Sequence, residues 1–245
     1  MNVVRVRLLC TLLATLVLPG MAAAAQPPEQ DAQVTQSKAF LDSHPDLRLR
    51  QKGLQALKQD RADQATHWFQ RAAWYGDKPS QAMLAELYWS GHGVAVDRPR
   101  AYAWMDLAAE RGGQRALAKR ELYWSQLSAS ERERARQVGH PLHARYADAV
   151  AQPRQERQMR ASRVQATGSH VGYVGTMGVC MRGDHAVDQT RIINDTCSSS
   201  VEGSRYYAQA HWSPTHYWQA QDAELERSLS PRVDIGREQA LPAPR

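Results

Sequence analysis

Long apolar runs, phenylalanine, cysteine and a dominant charge sign are all scarce in this chain. Beyond residue 25 nothing resembles a transmembrane span, so the mature chain is expected to have no membrane-crossing segment. Only 2 Phe occur among 245 residues, so a core in one or two domains has to be built on Ala, Leu, Trp and Tyr. The formal charge is +6, and Lys and Arg alternate with Asp and Glu instead of forming a basic face. Nucleic-acid binding, which needs such a face, is therefore not expected. The densest basic stretch, with Arg154, Arg157, Arg160 and Arg163 spaced by three, reads as a solvated linker helix.

Catalytic signatures are also missing. The chain has no Walker loop, no dinucleotide-binding glycine fingerprint, no His-Glu-x-x-His and no Gly-x-Ser-x-Gly. His140 and His143 have Pro141 between them and no evident third ligand, and His211 and His216 share that weakness. No catalytic residue, cofactor or metal is expected. An enzyme would need a catalytic group in the region from Gly168 to His216, with His185 and His211 as its candidates.

The N-terminus points to export. Arg5 and Arg7 precede the apolar run Leu8 to Leu18, Pro19-Gly20 breaks it, and Met21 to Ala25 supplies small residues for cleavage. Residues 1–25 read as a signal peptide, with an uncleaved anchor as the alternative, and the location as periplasmic or secreted. Cys10 leaves with the leader. Cys180 and Cys197 remain, an even pair that reads as a disulfide closing 16 intervening residues, worth about 3 kcal/mol if unstrained. A reactive thiol near His185 is the other reading. Asn194-Asp195-Thr196 fits a glycosylation sequon, relevant only in a eukaryotic secretory pathway.

What the chain does have is repetition. Ala65-x-x-Trp68-x-x-x-Ala72-Ala73-x-x-Gly76 returns 36 positions later as Ala101-x-x-Trp104-x-x-x-Ala108-Ala109-x-x-Gly112. Glu86-Leu87-Tyr88-Trp89-Ser90 returns 35 positions later as Glu121-Leu122-Tyr123-Trp124-Ser125. A period of this size in helix-favouring sequence signals stacked helix pairs. Helices are predicted over about 62–75, 80–90, 98–111 and 114–125. Ser80 and Asp97 are the expected caps, and Gly91 and Gly93 the turn. Leu47 to Lys58 reads as a helix of a degenerate first unit, weakened by Gly53. Ser128 to Glu131 opens a further helix that runs to about Gln137, ahead of a break at His140-Pro141.

The run Tyr88-x-x-Gly91-x-Gly93-Val94-x-x-Asp97-x-x-x-Ala101-x-x-Trp104-x-x-x-Ala108-Ala109-x-x-Gly112 resembles the Sel-1-like repeat, a relative of the tetratricopeptide repeat. The resemblance covers about Leu47 to Val138, with Ser80 and Ala85 departing from the usual Ala and Gly. It implies a short right-handed α-solenoid of antiparallel helix pairs in an all-α fold, with no catalytic residues. It also implies scaffold or adaptor roles in exported or envelope-associated bacterial proteins.

The expected organisation is a disordered segment at 26–36, the repeat domain at 37–150 and a basic linker at 151–166. A glycine-rich, disulfide-pinned module that is irregular or contains β structure follows at 167–230, then a disordered tail at 231–245. Disorder is the alternative for the glycine-rich part. Ser213-Pro214 opens a helix carrying Tyr217, Trp218 and Leu225. Trp68 and Trp104 are expected in the core. Trp74, Trp89 and Trp124 follow packing positions and are the candidate partner-binding residues. Trp89 and Trp124 either share one exposed surface or fill gaps between units. The expected partner is another protein, of unstated identity, with a cell-wall glycan as the alternative.

Overall fold

The computed structural model describes residues 29–167, 178–180 and 200–230. The leader, Cys197, His185 and the tail from residue 231 lie outside the described residues, and so does the proposed disulfide. Helix α3 (Pro45–Lys58) buries Leu49, Gly53 and Ala56 against α4 (Ala62–Ala73), which answers with Ala65, Phe69, Ala72 and Ala73. Those spacings of three, four and seven make one apolar stripe on each helix. Gly53 does more than lower helix propensity. A Cβ there would sit 2.5 Å from Phe69 Cε1, so the missing side chain is the slot for the Phe69 ring.

Helix α5 (Lys78–Ser90) starts two residues earlier than predicted. Asp77 is its cap, accepting from the Ser80 N–H at 3.0 Å, so Ser80 receives the cap and does not provide it. A carboxylate at this position suits the positive end of the helix. The turn to α6 (Arg98–Ala108) closes through the Asp97 N–H on the Tyr88 carbonyl at 2.9 Å, and Asp97 caps α6 through the Arg100 N–H. Gly91 and Gly93 take positive φ, and a Cβ on Gly93 would collide with Ala62. The turn thus leans on the preceding unit, which requires glycine there. Gly76 and Gly112 repeat each other at φ +83° and +78°. Helix α7 (Gln114–Gln126) completes the second unit.

The break expected at His140-Pro141 does not occur. Helix α8 (Ala129–Tyr146), opened by the Ser128–Glu131 capping box, runs straight through Pro141. Helix α9 (Asp148–Thr167) runs through Pro153. The carbonyls that lose a donor belong to Gln137 and Ala149, four residues earlier, and both residues are exposed with their prolines. Water is at hand there, while Ala135 and Tyr146 stay anchored in the core. The supposed linker at 151–166 is likewise part of the body: Ala151, Gln155 and Met159, spaced by four, are buried along α9.

The chain then closes on itself. Helix α1 (Glu29–Gln36) is ordered where disorder is expected, because Val34 is buried in a second core. That core gathers Phe40 of α2 (Lys38–Ser43), Met159, Tyr206, Tyr207, Trp212, Tyr217 and Trp218. Strands β1 (Gly178–Cys180) and β2 (Ser200–Glu202) pair antiparallel with Val179 opposite Val201, and both valines pack against it. Helices α10 (Gly203–Tyr206), α11 (Gln209–Trp212) and α12 (Pro214–Ser228) supply the remaining aromatics. The described C-terminal residues and the first helices share one core, so residues 200–230 and the first helices are not separate packing units. Among the described residues no helix is long and apolar enough to cross a membrane.

Gly53→Ala is expected to destabilise the fold although alanine favours helix by about 1 kcal/mol. Overpacking against Phe69 costs about 1–3 kcal/mol and should win. Urea unfolding would show a lower midpoint; a raised one would mean that Phe69 turns aside freely.

Candidate partner-binding surface

The three candidate tryptophans occupy different surroundings. Trp89 stacks on Tyr123 of α7 at 3.9 Å and 10°, with the Arg98 guanidinium 5.2 Å from its ring. Trp124 leans on Tyr102 of α6 at 4.8 Å, and Arg132 and Arg136 lie over it. Both are half-buried and bridge neighbouring helices, which is the gap-filling role. The repeat position at Trp68 and Trp104 also splits. Trp104 is 2% exposed and faces Tyr146 at 4.8 Å, whereas Trp68 is half-buried, with Lys52 and Arg71 over its ring. Helix α8 covers the second unit and leaves the first without that cover.

Trp74 marks a groove. His67, Gln70, Arg71, Trp74 and Tyr75 line one side and Arg145 and Tyr146 the other, enclosing about 300 Å³. Trp74 meets Tyr146 edge-on at 6.4 Å. The Arg154 guanidinium lies 3.5 Å from the Trp74 ring centre and donates to the carbonyls of Trp74 at 3.1 Å and Arg145 at 2.8 Å. Arg145 stands 5.2 Å from the same ring. Among the described residues no carboxylate lies within ion-pair distance of Arg71, Arg145 or Arg154. Burial, then the charges of Arg145 and Arg157, push the pKa of Arg154 down. Sequence reasoning found Trp74 but did not connect it with Arg145 and Arg154, which come from helices about 70 and 80 residues later.

Behind the groove the charges are paired and buried. Lys78 Nζ, with no solvent exposure, donates to the Leu107 carbonyl at 2.8 Å and meets Glu110 at 2.7 Å and Asp148 at 3.0 Å. Arg111 grips both oxygens of Asp148, at 2.8 and 3.0 Å, and also reaches Asp222, the Gly76 carbonyl and the Trp218 ring. His143 donates toward Asp106 across 3.0 Å, and that carboxylate raises the His143 pKa. Among the described residues no group of three or more metal-ligating side chains assembles, and His140 stays exposed.

Two buried groups titrate in opposite senses. Burial, then the charge of Asp77, lifts Asp46 from 3.8 to about 7, while Tyr217 donates a short hydrogen bond to it. Burial holds His44 down from 6.5 to about 4; its ring stacks on Phe40 at 3.8 Å. Perturbed groups can mark active sites, but both are fully buried in the core seam.

Residues 48–73 and 78–113 match the Sel1 repeat. This chain carries Sel1 repeats. The first match spans most of α3 with α4, and the second spans α5, the glycine turn and α6. Sel1 repeats are a protein–protein interaction scaffold type. A solved structure of a protective antigen present in uropathogenic Escherichia coli strains, titled as displaying an SLR fold, is 26% identical. It matches over 46% of this chain and 25% of that one, with a TM-score of 0.39, so this chain spans about a quarter of that protein's length. No curated protein matches the chain.

Asp46 should lose stability as pH rises from 3.8 to about 7, because the fold holds a proton there that the unfolded chain releases. His44 should gain stability as pH rises from about 4 to 6.5, because there the unfolded chain holds the proton. The two slopes oppose each other across nearly one window. Relative to wild type, Asp46→Asn is expected to gain stability with rising pH and His44→Gln to lose it. Urea midpoints at about pH 4.5 and about pH 6.5 check this; parallel curves for all three proteins would contradict it.

Proposed function

We propose that the chain is a non-enzymatic protein-binding adaptor, exported to the bacterial cell envelope, whose partner seats in the groove at Trp74. The leader-like residues 1–25 support the export part of this reading. The observation that carries the binding part is the groove itself: a half-buried Trp74 beside guanidinium groups that have no carboxylate at ion-pair distance among the described residues. Aromatic and Arg side chains together are the residue types that most often dominate protein interfaces. Trp89 and Trp124, each spent on a neighbouring helix, are assigned to packing.

The test compares three forms of the mature protein in pull-downs from envelope extract. Wild type should retain a discrete protein that Trp74→Ala loses while keeping its helicity by circular dichroism. Trp89→Ala should keep the partner but unfold more readily, by about 1–3 kcal/mol, since it gives up the stacking on Tyr123 and most of its buried area. Retention on insoluble cell-wall material in place of a protein would turn the reading to a glycan binder. Absence of the chain from the periplasmic and secreted fractions would remove the envelope location.

A further inference from the structure

We infer that the groove at Trp74 takes an acidic peptide segment of the partner, with carboxylates seated on Arg71 and Arg145. The inference rests on the adaptor reading and adds the chemistry of the occupant. Charge is its first support. Arg50, Arg111 and Arg120 all find carboxylates within the fold. At the groove, Arg71 and Arg145 are exposed, and among the described residues their side chains meet aromatic rings and no carboxylate: Arg71 over Trp68 at 5.1 Å, Arg145 over Trp74 at 5.2 Å and Tyr146 at 5.6 Å. Arg154 adds a third positive charge beside Trp74, held by two carbonyls.

Geometry narrows the occupant further. A guanidinium lying on a ring keeps its N–H edge outward, and that edge is the fork that a carboxylate fits. Stacking also restrains a flexible side chain before binding, so less entropy is lost when the ligand arrives. The same stacking weighs against a sugar or a nucleobase. Each would need an open aromatic face, and Arg154 occupies one face of Trp74 at 3.5 Å. The open groove of about 300 Å³ takes a side chain or two at its deepest part. His67 and Gln70 on its wall offer further polar contact to a peptide backbone.

The experiment uses the mature protein and a fluorescently labelled hexaglutamate peptide, read by anisotropy at low and high salt. Hexaglutamine, polygalacturonate and a single-stranded oligonucleotide are the comparison probes. Hexaglutamate is expected to bind and hexaglutamine not to. Arg71→Gln/Arg145→Gln, both at exposed positions, should weaken hexaglutamate binding about ten-fold or more with helicity unchanged, and salt should weaken it in wild type. Equal binding by the double variant, or tighter binding of oligonucleotide or polygalacturonate, overturns the inference. If hexaglutamate fails to bind while Trp74→Ala still loses the envelope partner, the acidic chemistry is wrong and the adaptor reading stands. A partner that Trp74→Ala retains removes the adaptor reading, and the inference with it.

Discussion

The Asp148 carboxylate is the point on which the rest of the molecule depends. It starts α9, and it receives Lys78 from the start of α5 and Arg111 from just beyond α6. Through Arg111 it is tied to Asp222 of α12. An ammonium with no exposure is costly to bury, and it is tolerated here because three acceptors surround Lys78. Taking away one member of such a group costs more than the pair contributes, since the others are left desolvated and unmatched; breaking a buried pair typically costs about 3–5 kcal/mol. The network therefore specifies where α9 and α12 sit on the repeats more than it adds net stability.

The groove inherits its shape from that anchor. Arg154 lies six residues after Asp148 on the same helix, so fixing the first turn of α9 fixes the angle at which Arg154 meets Trp74. Gly76, two residues after Trp74, gives its carbonyl to Arg111. One arrangement of buried charge thus sets both walls of an exposed basic cleft. The repeats supply Arg71, Trp74 and Tyr75, and the chain beyond them supplies Arg145 and Tyr146.

The repeats were legible because their determinants are local. The Asp97 cap, the Ser128–Glu131 box, the alanine pairs and the Gly-x-Gly turn act within a few residues of where they are read. Pro214 opening α12 with Tyr217, Trp218 and Leu225 on its buried side was equally plain. The closure was not legible. Val34, Met159 and Trp212 are single apolar residues in largely polar surroundings, and only their meeting with Phe40 across the fold makes them a core. Pro141 read as a break because a sequence does not show that the affected carbonyl faces water. Gly53 read as a weakness because its partner, Phe69, lies on the next helix. The groove failed for a similar reason: Arg145 and Arg154 carry no periodic signal that connects them with Trp74.

Helix α12 lies across α5 and reaches α7, while α11 and α12 enclose His44 and Asp46 near the start of the described chain. An open repeat array has nearest-neighbour contacts only, and it can fray from one end without the other responding. In this chain, contacts such as Tyr217 to Asp46 span 171 residues and join the first helices to the last. Closing so long a loop carries an entropy cost that the local pairing of neighbouring helices does not. Adding or removing a repeat would shift one side of that closure against the other, so the length of the array is a fixed property of the whole chain.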